Sequence, residues 1–213
     1  MENFNWKDRV AASWLNRYPQ WVRGAVEWES QGSFGPDWRP PDLSKLRAKR
    51  RPRTGARPIL FVSHRQANTK EALRIAWIAD REGFGFWLDV LDPNIAALHA
   101  ATMTPRQKGL AIASVIEMGL LNSTHVIAVM TKKTAGSQWV PYEYGRAKNS
   151  TVASVQAACW VHKALAVSVL PEYLHLGPVL LSKIDLEIWL RSQSPGLARP
   201  AGMWTGPVPQ PPP

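Results

Sequence analysis

Ile59-Leu-Phe-Val-Ser63 is a continuous apolar run closed by a serine, and Asn68-Thr-Lys-Glu71 opens a helical pattern just beyond it. A short uninterrupted apolar run suits a strand buried on both faces rather than one with a wet side. Asn68 followed by Glu71 has the form of a capping box, with Asn68 as the N-cap. Leu73, Ile75, Ala76, Trp77, Ile78 and Ala79 carry the helix to about Glu82, and Gly83 is placed to end it. Phe84-Gly-Phe-Trp-Leu88 then reads as a second strand, closed by Asp89. Strand, helix and strand in this order predict a parallel pair joined by a right-handed crossover.

The alternation continues downstream. Residues 90–104 read as a loop containing Pro93, Asn94 and Thr104, and a helix from about Pro105 carries Leu110, Ile112, Val115, Ile116 and Leu120. His125-Val-Ile-Ala-Val-Met130 is a third strand, a helical pattern starts near Pro141, and residues 152–161 form a fourth, alanine-rich strand. Open parallel sheets bind ligands at the carboxyl ends of their strands. The segments to watch are therefore Ser63 to Gln66, Asp89 to Pro93 and Thr131 to Trp139. Neither GxGxxG nor GxxxxGK[ST] occurs, so a Rossmann fingerprint and a P-loop are excluded.

Upstream, Trp6, Trp14, Trp21 and Trp28 recur every seven or eight residues in a mainly helical stretch interrupted at Pro19. The chain divides into a Trp-rich helical extension (1–31), a basic Pro-rich linker (32–57), an α/β domain (58–191) and a Pro-rich tail (192–213). The net charge of +10 is concentrated: eight Lys/Arg against Asp42 between Arg39 and Arg57 leave only +3 for the rest. The run 45–57 is then a self-repelling tether or a polyanion-binding arm, and a single nearby aromatic, Trp38, weakens the nucleic-acid reading. No apolar run reaches the ~18 residues of a membrane span, and the opening MENFNWKDRV lacks the apolar core of a signal peptide. The single cysteine, Cys159, excludes an internal disulfide and suits a reducing cytoplasm. It reads as a buried small residue rather than a nucleophile. No Cys/His spacing suggests a metal site.

Four stretches resemble the boxes of the TIR (Toll/interleukin-1 receptor) domain family. Phe61-Val-Ser-His-Arg65 is similar to F-[IV]-S-[YFH], and Gly85-Phe-Trp-Leu-Asp89 to the second-strand V-[FW]-[IL]-D. The stretch from Ile116 to Met130 resembles "I…S…VIVVLS", and Ser137-Gln-Trp-Val-Pro-Tyr-Glu143 resembles S-x-W-[VC]-x-x-E. The region of resemblance runs from about Pro58 to about His162, roughly half of the chain, and the nearest likeness is to bacterial TIR proteins of Thoeris-type antiphage systems. The resemblance implies a flavodoxin-like three-layer sandwich around a parallel sheet. It also implies an NAD⁺ glycohydrolase or ADP-ribosyl cyclase that takes NAD⁺ as substrate, without a cofactor or metal, and associates through TIR–TIR contacts. An effector or activator protein is a further expected partner. The alternative is a non-catalytic TIR adaptor that acts by homotypic association; the intact Glu143 argues against it.

Glu143 is the expected catalytic carboxylate. Nicotinamide is already a cationic leaving group, so no general acid is needed, and one carboxylate can support the oxocarbenium-like ribosyl centre. With Pro141 at N1, Glu143 falls at N3, where the helix dipole favours its ionised form. Ser63 and His64 stand near the expected nicotinamide end. Ser63 is otherwise a strand-end residue bonding the backbone, and His64 stacks or handles a proton. Arg65 is a fork for the pyrophosphate or an exposed loop arginine. Asp89 holds the loop that follows it, and Trp87 reads as core. Trp139 and Tyr142 complete the substrate-binding set, Trp139 chiefly as packing that sets the angle of the catalytic helix. The segment after Asp89 departs from the family pattern. Its apolar residues 95–103 suit a subunit interface or a short extra helix.

A Trp side chain buries on the order of 200 Å², so the extension 4–30 is expected to dock on the domain or a neighbouring subunit rather than lie free in water. Single-Trp variants retaining Trp6, Trp14, Trp21 or Trp28 should emit blue-shifted fluorescence and resist acrylamide. Red-shifted, fully quenchable emission from all four would refute docking.

Overall fold

A computed structural model of the protein describes residues 58–148 and 156–193. The extension 1–31, the linker 32–57 and the tail beyond residue 193 lie outside these residues. The described residues form a larger compact unit that carries the whole sheet and a smaller one, Asp89–Gly119. In chain order the elements are β1 (Ile59–Ser63), α1 (Thr69–Arg81), β2 (Gly85–Trp87), α2 (Pro93–Ala100), α3 (Pro105–Asn122), β3 (His125–Met130), α4 (Trp139–Lys148), β4 (Gln156–Val161), β5 (Val179–Leu180) and α5 (Lys183–Ser192). Among the described residues, no helix is long and apolar enough to cross a membrane.

The five strands are all parallel and ordered β2-β1-β3-β4-β5, the flavodoxin-like order. The order reverses between β1 and β3, so right-handed crossovers send α1, which leads from β1 to β2, and α4, which leads from β3 to β4, to opposite faces. α1 packs on β1 and β2, and α4 on β3, β4 and β1. α5 returns from the β5 edge to α1, giving helix, sheet and helix layers within the larger unit. The central strands are as dry as their sequences require: β3 is buried throughout and β1 from Leu60 onward. Phe61 stacks on Trp87 at 4.6 Å and 17°, so Trp87 is core, as expected.

Local signals act as read at some helix ends and not at others. α1 ends in a full Schellman arrangement: Gly83 adopts φ +88°, its N–H reaches Asp80 O, and Phe84 N reaches Ala79 O at 2.9 Å. The expected capping box at its start is not formed. Asn68 stands at the N-cap position, but its side chain makes no cap bond; it turns to Thr131 and Thr134 instead. α4 also departs from expectation, beginning at Trp139 rather than Pro141. Ser137 Oγ accepts from Val140 N at 3.3 Å and closes the first turn early. Pro141 becomes the third helical residue, where an N–H would still lack an intrahelical acceptor. Glu143 therefore sits in the second turn, beyond the short reach of the helix dipole.

Within the smaller unit, the expected loop 90–104 is mostly the helix α2. Asp92 Oδ1 caps it by accepting from Asn94 N at 2.8 Å, and Pro93 occupies its first turn. The short helix suggested by its apolar residues is found, with Ile95 and Leu98 buried.

The region after β4 carries elements not anticipated from sequence. β5 has only two residues, and α5 opens on a true capping box between Ser182 and Asp185. α5 is tied to the end of α1 by a bidentate pair, Arg191 Nε and Nη2 to Glu82 Oε2 and Oε1 at 2.8 and 2.9 Å. Trp189 and Phe84 both meet His125 edge-on. Gly177 precedes β5 in extended backbone, and a Cβ there would lie 2.3 Å from Ala157 O and 2.5 Å from Tyr144 Oη.

Gly177→Ala should therefore destabilise the fold by about 1–3 kcal/mol, read as a lower urea midpoint; an unchanged midpoint would refute the close approach. Burial lowers His125 from its ordinary 6.5 to about 4, outweighing a hydrogen bond with Gln193. The unfolded chain then binds this proton first, so stability should fall by up to roughly 3 kcal/mol as pH drops from 6.5 towards 4. Urea titrations at pH 7 and 4.5 of wild type and His125→Gln test this. The variant should lose less stability on acidification, and equal losses would refute the assignment.

Candidate active site

The buried face of α4 is set by helical periodicity: Val140, Glu143, Tyr144 and Ala147 point inward. Three of these suit a core. The fourth is a carboxylate, 5 % exposed. A buried charge is costly unless it is hydrogen-bonded or paired. Ser63, at the carboxyl end of β1, meets this need by donating Oγ–H to Glu143 Oε2. Phe61 and Ser63 share one face of β1, and α4 packs against that strand. The first and last of the TIR-like stretches, 80 residues apart in sequence, thus meet at the carboxyl edge of the sheet.

Of the other expected residues, His64 is buried and donates from Nδ1 to Val62 O at 3.2 Å. Arg65 is exposed, but its Nη1 donates to two carbonyls of the β3–α4 loop, Lys133 O at 2.9 Å and Ala135 O at 3.0 Å. Its first role in this structure is to hold that loop. Trp139 and Tyr142 lie on the outer face of α4, 40 % and 44 % exposed, with their rings edge-on at 5.9 Å. Trp139 therefore does not set the helix angle from within the core, because much of its ring faces solvent. Asp89 opens the smaller unit, where Oδ1 accepts from Val90 N at 2.7 Å, the local loop-holding role expected of it. Cys159 is fully buried, and burial pushes its thiol up to about 11, so it is no thiolate nucleophile at neutral pH.

Sequence reasoning missed a buried polar cluster in the loops that follow β1 and β3. Asn68 Nδ2 donates to Thr134 Oγ1 at 2.9 Å, and Thr131 Oγ1 donates to Asn68 Oδ1 at 2.8 Å. Thr134 Oγ1 in turn donates to Val129 O and accepts from Thr131 N, both at 2.9 Å. The cluster draws the loop after β3 against the loop after β1. The two threonines sit in one of the strand-end segments singled out from the topology, but nothing local links them to Asn68.

The arrangement defines an α/β protein of flavodoxin-like order with a buried serine–carboxylate pair at the carboxyl edge of its central strands. Set against known proteins, the chain matches no protein-family model and no curated sequence.

Proposed function

We propose that the protein is a TIR-type enzyme that cleaves the nicotinamide N-glycosidic bond of NAD⁺, with Glu143 as the catalytic carboxylate. The observation that carries this reading is the inward-facing Glu143 held by Ser63. A helix that needs only to pack would place an apolar residue there. The resemblance of Ser137–Glu143 to the TIR signature supplies the chemistry.

In this reaction the bond between ribose C1′ and the pyridinium nitrogen breaks, and its electron pair leaves with nicotinamide, which departs neutral. Positive charge remains on the ribosyl C1′ and ring oxygen, and the ionised Glu143 stabilises it. Water adds its oxygen to C1′ and loses a proton to give ADP-ribose. A nucleophile within the same molecule gives a cyclic product, and another acceptor a conjugate. Ser63 fixes one carboxylate oxygen, and the exposed rings of Trp139 and Tyr142 offer stacking faces to an incoming base. In a bacterial cytoplasm this activity would deplete NAD⁺ or yield an ADP-ribose-derived signal, as suits antiphage defence.

Glu143→Gln keeps an oxygen that can accept from Ser63 but removes the charge. It should retain the far-UV circular dichroism of wild type while nicotinamide release falls roughly 10²-fold or more. A folded variant with wild-type turnover would exclude Glu143 as the catalytic group. A wild-type protein that self-associates but releases no nicotinamide would favour the adaptor.

A further inference from the structure

We infer that Asn68, Thr131 and Thr134 act as a positioning lock for Glu143, an inference that rests on the catalytic reading of that carboxylate. The three side chains are 1 %, 8 % and 4 % exposed, and their polar groups are joined in one network. Asn68 uses both ends of its amide, donating to Thr134 and accepting from Thr131. Thr131 Oγ1 also accepts from Lys133 N at 2.9 Å. Thr134 carries the connection forward: its carbonyl accepts from Ser137 N at 3.0 Å, and Ser137 Oγ accepts from Val140 N in the first turn of α4. Hydrogen bonds, joined through the residues Thr134 and Ser137 themselves, therefore link the loop after β1, through the loop after β3, to the first turn of the helix that bears Glu143.

Two features separate this cluster from ordinary loop packing. Asn68 occupies the N-cap position of α1, where an asparagine side chain normally bonds the helix N–H groups. Here it makes no such bond, so the helix forgoes a local stabilisation that its sequence makes available. Arg65 independently grips the same loop from outside at Lys133 and Ala135. The result is a β3–α4 loop held from the segment that directly follows Ser63, which ties the donor's strand to the loop that starts the helix of the carboxylate. A catalytic carboxylate displaced by about 1 Å can lose much of its rate. The lock is thus expected to act on the chemical step more than on substrate affinity.

The test uses the full chain with isosteric changes. Thr134→Val removes the shared hydroxyl, and Thr134→Ser restores it. Steady-state rates over a range of NAD⁺ concentrations give kcat and KM. Glutamate labelled with ¹³C at the carboxyl carbon, with Glu143 assigned through Glu143→Gln, reports the environment of that carboxylate across a pH titration. Thr134→Val should lower kcat about tenfold or more with little change in KM. It should also move the Glu143 resonance and its titration midpoint, and Thr134→Ser should return both towards wild type. If Thr134→Val does not fold, Thr131→Val, which removes one of the Asn68 bonds, carries the same expectations. A folded valine variant with wild-type kcat and an unmoved Glu143 resonance would overturn the lock. Should wild type cleave no NAD⁺, the enzymatic reading fails, and the resonance comparison alone still decides whether the cluster sets the environment of Glu143.

Discussion

On a helix packed against a sheet, every inward position is dry, and α4 turns a carboxylate to the inside at one of them. Removing an ionised carboxylate from water costs several kcal/mol unless donors replace the lost solvation. That requirement orders the neighbourhood. Ser63 must end β1 with its hydroxyl towards α4, on the same side of the strand as Phe61. β1 must lie between β2 and β3, so that its carboxyl end is central rather than at an exposed edge. The loop after β3 must start α4 in the register that places Val140, Tyr144 and Ala147 in the core and Glu143 beside Ser63.

The same edge shows local and long-range preferences in competition. Asn68 has the sequence signature of a cap, and the helix starts where that signature places it, yet its amide is spent across the fold. Arg65 has the fork suited to a phosphate, yet its Nη1 closes on two loop carbonyls. In both cases the side chain fastens the β3–α4 loop. Buried polar clusters of this kind specify one arrangement strongly, because a partly satisfied version is worse than none. Here the cluster fastens the loop that leads into α4, at the cost of a side-chain cap at the start of α1.

Patterns of period and punctuation were enough for much of the framework. The apolar runs at Ile59–Ser63 and His125–Met130, and the Gly83 stop, act over a few residues, and the structure follows them closely. Where the reading failed, a distant or very short element decided. β5 has two residues, too few to carry a period, and exists because β4 offers it an edge. α4 begins before Pro141 because a serine hydroxyl closes the turn, and a proline in the third position gives no sign of this. The inward face of α4 was legible in principle, since Val140, Glu143, Tyr144 and Ala147 have helical spacing, but only with the helix start correctly placed.

The sequence by itself determined the parallel α/β class and the two strands dry on both faces, each encoded in contiguous residues whose side chains respond to burial and backbone geometry. Glu143 was singled out by the resemblance of Ser137–Glu143 to a family signature, not by period or burial. Only the tertiary structure decided that Glu143 meets Ser63, that Asn68 leaves its helix to join Thr131 and Thr134, and that Trp139 and Tyr142 face outward. These contacts bridge 80, 63 and 66 residues of chain for the Glu143, Thr131 and Thr134 bonds. Hydrogen bonds are short and directional, so they form only where the packing of the whole sheet has already brought donor and acceptor within reach.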